Sequence, residues 1–129
     1  MAEGLTGLRI YQLAEALADE VWQEVISWQP FARDTVGRQL VEAADSVGGN
    51  IAEGYGRYYY KENRQFQFYA RGSLYETKHW LRRAHARKLT TDVRCKELTA
   101  KVEELAPQLN AYIKALEQRS RERKPKEQR

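Results

Sequence analysis

The sequence predicts an all-α protein, an antiparallel up-down four-helix bundle, and three observations carry that prediction. Apolar residues recur at helical spacing in four successive stretches, no stretch of useful length alternates as a strand would, and the breaks between the four are short. At 129 residues the chain fits one domain, here residues 1–119, followed by a tail.

The first helix is expected from about Leu8 to Ser27. Leu13, Leu17, Val21 and Val25, with Ala14, Trp22 and Ile26, form one apolar stripe, and Glu15, Asp19, Glu20 and Glu24 decorate the other faces. Trp28-Gln29-Pro30-Phe31 ends it, because proline disfavours helix at the preceding residue. Trp28 and Phe31 are expected to cap the end of the bundle. The second helix starts near Asp34 or Thr35, both good N-caps, and runs to about Glu53 with Leu40, Ala43, Ala44, Val47 and Ile51 inward. Gly48 and Gly49 each cost roughly 1 kcal/mol relative to alanine, which points to close approach by a neighbouring helix. Gly54 and Gly56 are expected to supply the stop and to permit left-handed backbone.

The third helix is expected from Tyr60 to Lys88. Its core face reads Phe66, Tyr69, Ala70, Ser73, Thr77, Trp80, Leu81 and Ala84. The opposite face holds Arg64, Arg71, Lys78 and Arg82, with Phe68 and Tyr75 beside that basic stripe. Exposed aromatics usually mark a contact surface. Leu89-Thr90-Thr91 makes the turn, and Thr91 or Thr90 caps the fourth helix. Leu98, Val102, Leu105, Leu109, Tyr112, Ile113 and Leu116 carry its stripe to about Arg119, and Pro107 should kink or split it. The tail, residues 120–129, is basic and without apolar residues, and is expected to be disordered.

Composition narrows the function classes. The single cysteine, Cys95, excludes an intramolecular disulfide and fits a reducing, cytoplasmic setting. The first twenty residues lack the basic start and apolar run of a secretion signal, and no apolar stretch is long enough to span a bilayer, so no membrane partner is expected. The net charge of +4 is unevenly placed: residues 1–56 sum to −6, residues 57–96 to +8 and residues 97–129 to +2. Such a basic middle points either to an anionic partner or to acidic and basic faces pairing within or between subunits.

No motif carries enzyme chemistry. Gly54-Tyr55-Gly56 lacks the Gly-Lys-Ser/Thr of a phosphate loop and the strand of a dinucleotide loop. His79 and His85, six apart, lie on different helix faces and make a poor metal pair. Cys95 has no histidine or acid arranged with it. The expectation is a protein that is not an enzyme and takes no cofactor and no metal.

Two boxes carry a family likeness. Asn50-Ile51-Ala52-Glu53-Gly54 with Gly56-Arg57, and Ala70-Arg71-Gly72-Ser73-Leu74-Tyr75-Glu76, following Gln39-Leu40 in order and spacing, resemble the four-helix-bundle family also called the 23S rRNA-intervening-sequence or S23 ribosomal protein family. The likeness covers nearly the whole chain. It implies a bundle assembled as a homopentamer. It also implies kinship with the accessory variability determinant of diversity-generating retroelements, a basic pentameric barrel that associates with a reverse transcriptase and nucleic acid. The chain departs from the family pattern at Val41-Glu42, where many members carry two arginines, and at Tyr58-Tyr59-Tyr60, where serine often caps the third helix. The tyrosines are a candidate contact patch.

Asn50, Glu53, Arg57, Ser73 and Glu76 read as a partly buried network locking the second and third helices, with Arg57 answering Glu53 or Glu76. The competing reading, a carboxylate pair for acid–base or metal work, lacks a histidine or a second acid at ligand spacing. For nucleic acid, RNA rather than DNA, the candidates are Arg64, Arg71, Lys78, Arg82, Arg83, Arg87 and Lys88, since arginines neutralise phosphates and neighbouring aromatics stack on unpaired bases. Phe68 and Tyr75 are expected at the oligomer interface. The alternative function is a protein-interaction adaptor, for example an accessory subunit docking a reverse transcriptase.

Overall fold

The computed structural model describes residues 4–122. A short 3-10 turn, Gly4–Gly7, leads into α1 (Arg9–Val25), α2 (Pro30–Ala32), a π-helical segment (Arg33–Gly37), α3 (Arg38–Tyr55), α4 (Tyr60–Ala86) and α5 (Asp92–Glu122). There is no strand among the described residues. The four long helices form an all-α bundle, as the periodicity predicts.

Side-chain contacts at every seam run in opposite directions along the two chains. Between α4 and α5, Arg64 meets Glu117, Arg71 meets Asn110 and Lys78 meets Glu103. Between α1 and α5, Arg9 meets Glu104 while Glu20 and Glu24 meet Arg94. Between α3 and α4, Ile51 faces Gln67 and Gly54 faces Asn63. Gly37 against Val25 and Gly48 against Ala14 give the same sense for α1 and α3. The helices therefore alternate up and down around one core. Leu17, Val21, Leu40, Val47, Ile51, Leu81, Leu98, Leu105 and Leu109 fill it.

The chain passes from α1 to α3 without the Asp34 or Thr35 cap that the sequence suggests. Pro30 opens a new helical turn directly, its fixed φ and missing N–H suiting the first helical position. The backbone then widens into the π segment, where the Thr35 hydroxyl donates to the Phe31 carbonyl (2.7 Å). Trp28 does close the end of the bundle: it is buried, and its indole N–H donates to Glu24 Oε2 (3.1 Å). Phe31 does not, standing 82% exposed.

The glycines of α3 act differently from expectation. Gly54 and Gly56 do not adopt left-handed backbone; Gly54 is inside the helix and Gly56 caps it with φ −77°. A Cβ on Gly49 would meet nothing within 4 Å, and one on Gly48 would make ordinary contact with Ala14 and Tyr11. The tight approach falls at Gly54 instead.

On α4 the buried line is Asn63, Gln67, Ala70, Ser73, Leu74, Thr77, Leu81 and Ala84. Phe66 is only partly buried and Tyr69 is 51% exposed, so both predicted core residues lie outside the buried line. Wedged between α3 and α5, α4 turns inward the residues that reach both neighbours, and two of these are amides. Thr91 caps α5 as predicted, its hydroxyl accepting from the Arg94 N–H (3.1 Å). Pro107 does not split α5, and residues 120–122 continue that helix, contrary to the expected start of the tail; residues 123–129 lie outside the described residues.

Candidate nucleic-acid interface

The predicted basic stripe divides into two groups. Arg64, Arg71 and Lys78 do not face away from the bundle; they lean onto α5. Lys78 Nζ pairs with Glu103 (2.9 Å), Arg64 lies 3.9 Å from Glu117, and Arg71 donates to Asn110 Oδ1 (3.2 Å) while its guanidinium sits 4.9 Å from the Phe68 ring centre. The glutamates that meet them belong to another helix, which the periodicity of α4 does not reveal.

The second group is different. Arg82 and Arg83 near the C-terminal end of α4, its C-cap Arg87 and the next residue Lys88 follow closely in the chain, and their side chains have no ion pair or hydrogen bond among the described residues. The helix ends there in a Schellman motif: the Leu89 N–H donates to the Ala84 carbonyl (2.9 Å) and the Lys88 N–H to that of His85 (3.0 Å). Lys88 occupies the left-handed position, φ +61°, that glycine commonly fills in this motif. Cations here also oppose the negative end of the helix dipole.

Beside this turn lies an open groove of about 720 Å³, lined by Phe31, Val36, Arg38, Trp80, Arg87 and Leu89 among others. Arg38 makes no side-chain bond among the described residues. Arg38, Phe31 and Trp80 were not among the sequence candidates for this interface, because only the folded chain brings the start of α3 to the end of α4.

Phe68 and Tyr75 are exposed as expected, Tyr75 by 70%. The predicted polar network is not assembled as drawn. Arg57 pairs with Glu53 one turn away (2.8 Å) and covers the Phe66 ring, while Asn50 donates to the Ser46 carbonyl of its own helix. Ser73 is buried and its carbonyl accepts from Thr77, whereas Glu76 is exposed and makes no side-chain bond among the described residues. These five side chains do not bond α3 to α4.

The polar lock between helices is built from other residues. Gln67 Nε2 donates to the Ile51 carbonyl (3.2 Å) and to Asn63 Oδ1 (2.8 Å), and Asn63 Nδ2 donates to the Tyr112 hydroxyl (3.1 Å). This joins α3, α4 and α5 in one chain of bonds. Burial raises the Tyr112 phenol above its ordinary value, against the donated bond from Asn63.

A second anchor is Arg94, which bonds Glu20, Glu24 and Glu97 and so fastens the start of α5 to α1. The Arg94 hydrogen bond holds Glu20 below the usual carboxylate range, and Arg94 itself is held above its ordinary value, chiefly by its hydrogen bonds to Glu20 and Glu97. His85 Nε2 lies 2.5 Å from Asp92 Oδ1, and His79 packs edge-on to Trp80. Cys95 is partly buried, 4.0 Å from the Thr99 hydroxyl. Among the described residues no three His, Cys, Asp or Glu side chains cluster as a metal site, and no helix is long and apolar enough to cross a membrane.

Fold and surface together define an all-α bundle with unpaired cations around the C-terminal end of α4. The chain belongs to the 23S rRNA-intervening sequence protein family, whose model matches residues 6–111. Among solved structures it resembles the crystal structure of a protein of unknown function from the S23 ribosomal protein family of Bacteroides thetaiotaomicron VPI-5482. The TM-score is 0.74 and the identity 16%, over 81% of this chain and 98% of that one. A comparison with curated proteins finds no match. At that identity the structural likeness speaks for the fold.

Proposed function

We propose that this chain is a non-enzymatic, cytoplasmic protein that assembles as a homopentamer and binds nucleic acid, RNA in preference to DNA, through the cations at the end of α4. The observation that supports this is the contrast between Arg82, Arg83, Arg87 and Lys88, which lack partners among the described residues, and Arg64, Arg71, Lys78 and Arg94, which have them. Four cations crowded into about two turns repel one another, and phosphates relieve that repulsion. Repeating the patch around a ring multiplies weak contacts through effective concentration.

The exposed Phe31, Tyr58 and Tyr75 support a second reading, a protein-interaction adaptor such as an accessory subunit docking a reverse transcriptase. Size-exclusion chromatography with light scattering and absorbance at two wavelengths separates the two. The proposal expects a mass near five times 15.1 kDa with nucleic acid that salt removes. A clean oligomer that takes up no added RNA favours the adaptor, and a monomer contradicts the assembly.

A further inference from the structure

The groove between the start of α3 and the end of α4 has a composition that the cation patch alone does not explain. Phe31 is the most exposed large apolar residue described in the chain, at 82%, and it stands at the lip of the groove with Trp80 and Leu89 along the wall. Arg38 and Arg87 reach the same groove from different helices, and both side chains lack partners among the described residues. The acid on the lining, Asp34, already accepts from Arg33 Nε (3.2 Å).

The backbone on both sides is unusual at the same place. The π segment Arg33–Gly37 forms one edge, and such segments concentrate at functional sites. The left-handed Lys88 lies between Arg87 and Leu89 on the other edge, and strain of that kind persists where the surrounding structure fixes it. An exposed ring on the same groove as two unpaired guanidinium groups matches an unpaired nucleotide: the ring offers a stacking face and the arginines offer charge to the flanking phosphates.

We infer that this groove holds one unpaired nucleotide of a single-stranded RNA, the base stacked on Phe31 and the adjacent phosphates on Arg38 and Arg87. The inference rests on the RNA-binding reading and adds to it a preference for single strands over duplex. A duplex keeps its bases stacked on one another and has none to offer the ring.

The test is fluorescence anisotropy on the full-length protein with labelled oligouridylate, whose bases are weakly stacked, and with duplex RNA of matched length. Phe31→Ala is expected to weaken oligouridylate binding about 5- to 150-fold and leave duplex binding unchanged. Phe31→Trp should retain binding, and Tyr58→Ala, which removes another largely exposed ring outside the groove, should have no effect. Replacing Arg38 and Arg87 with glutamine should reduce the salt slope on oligouridylate by roughly 1.4, two phosphates at about 0.7 each. Phe31 is exposed, so its loss should leave the helical circular dichroism intact. A Phe31→Ala variant that binds oligouridylate like the unaltered protein, or loses both ligands equally, overturns the groove while leaving RNA binding in place. An unaltered protein that binds neither RNA overturns both.

Discussion

A Cβ placed on Gly54 would lie 2.6 Å from Gln67 Nε2 and 2.7 Å from Asn63 Oδ1, with the Asn63 carbonyl at 2.9 Å. The glycine of the Asn-Ile-Ala-Glu-Gly box therefore exists for packing: it lets α3 and α4 approach closely enough for Gln67 to bond the Ile51 carbonyl. The amides on α4 can yield only by breaking that bond, and the backbone carbonyl cannot yield without moving the helix.

Gly54→Ala should destabilise the protein by about 1–3 kcal/mol, even though alanine is the better helix former. Gly49→Ala, on the same helix with open space around it, should stabilise by up to about 1 kcal/mol. Urea denaturation of the two variants checks both signs.

Tyr112→Phe removes the acceptor of the Asn63 amide at the far end of the same bonded chain. The expected loss is about 1 kcal/mol at neutral pH. Because burial raises the folded phenol, stability from this group is full below the ordinary value of 10.0 and falls as pH rises beyond it. The variant should lack that alkaline decline, which denaturation across pH 8 to 12 would show.

Two acidic groups should shape the other limb in opposite ways. Glu20 is held low by Arg94, so its contribution is present above the ordinary 4.5 and disappears as pH falls through the lowered value. Asp45, exposed at the surface, is raised first by partial desolvation and then by the Asp19 charge, so it destabilises as pH rises from the ordinary 3.8 through the raised value. Asp45→Asn should therefore raise the melting temperature at pH 7 and have little effect near pH 3, whereas Arg94→Gln should lower it at pH 7 and lose most of its effect in strong acid. Melting curves at the two pH values decide both.

Lys88→Gly should relieve the left-handed backbone and stabilise by about 1 kcal/mol. On the proposed function the same change should weaken RNA binding, because it removes one of the four unpaired cations at the end of α4. Thermal denaturation and RNA binding measured on one preparation would show the two effects with opposite sign; stabilisation without loss of RNA affinity would take Lys88 out of the interface.

The four helices were legible because each keeps an apolar stripe at helical spacing, and the Thr91 cap because threonine there has a local hydrogen-bonding reason. The rotation of α4 was not. Ranking side chains by hydrophobicity places Phe66 and Tyr69 inside, but the space beside Gly54 admits amides that bond across the seam, and Asn63 and Gln67 take it. The basic stripe was visible as spacing, yet whether an arginine is matched depends on Glu103, Asn110 and Glu117 of α5. Arg38 carried no local signal at all, since its place beside Arg87 follows from the antiparallel packing of α3 on α4.

On the proposed function, the unpaired cations at the end of α4, and not those on the α5 seam, meet RNA. The direct measurement is the salt dependence of RNA affinity for two glutamine variants, one replacing Arg82, Arg83, Arg87 and Lys88 and the other replacing Arg64, Arg71 and Lys78. The first should lose most of its affinity and flatten its slope by roughly 3, while the second should bind nearly as before and lose about 0.2–1 kcal/mol of stability per pair. The reverse pattern, with the seam variant losing RNA and the variant at the end of α4 keeping it, would place RNA on the α5 seam instead.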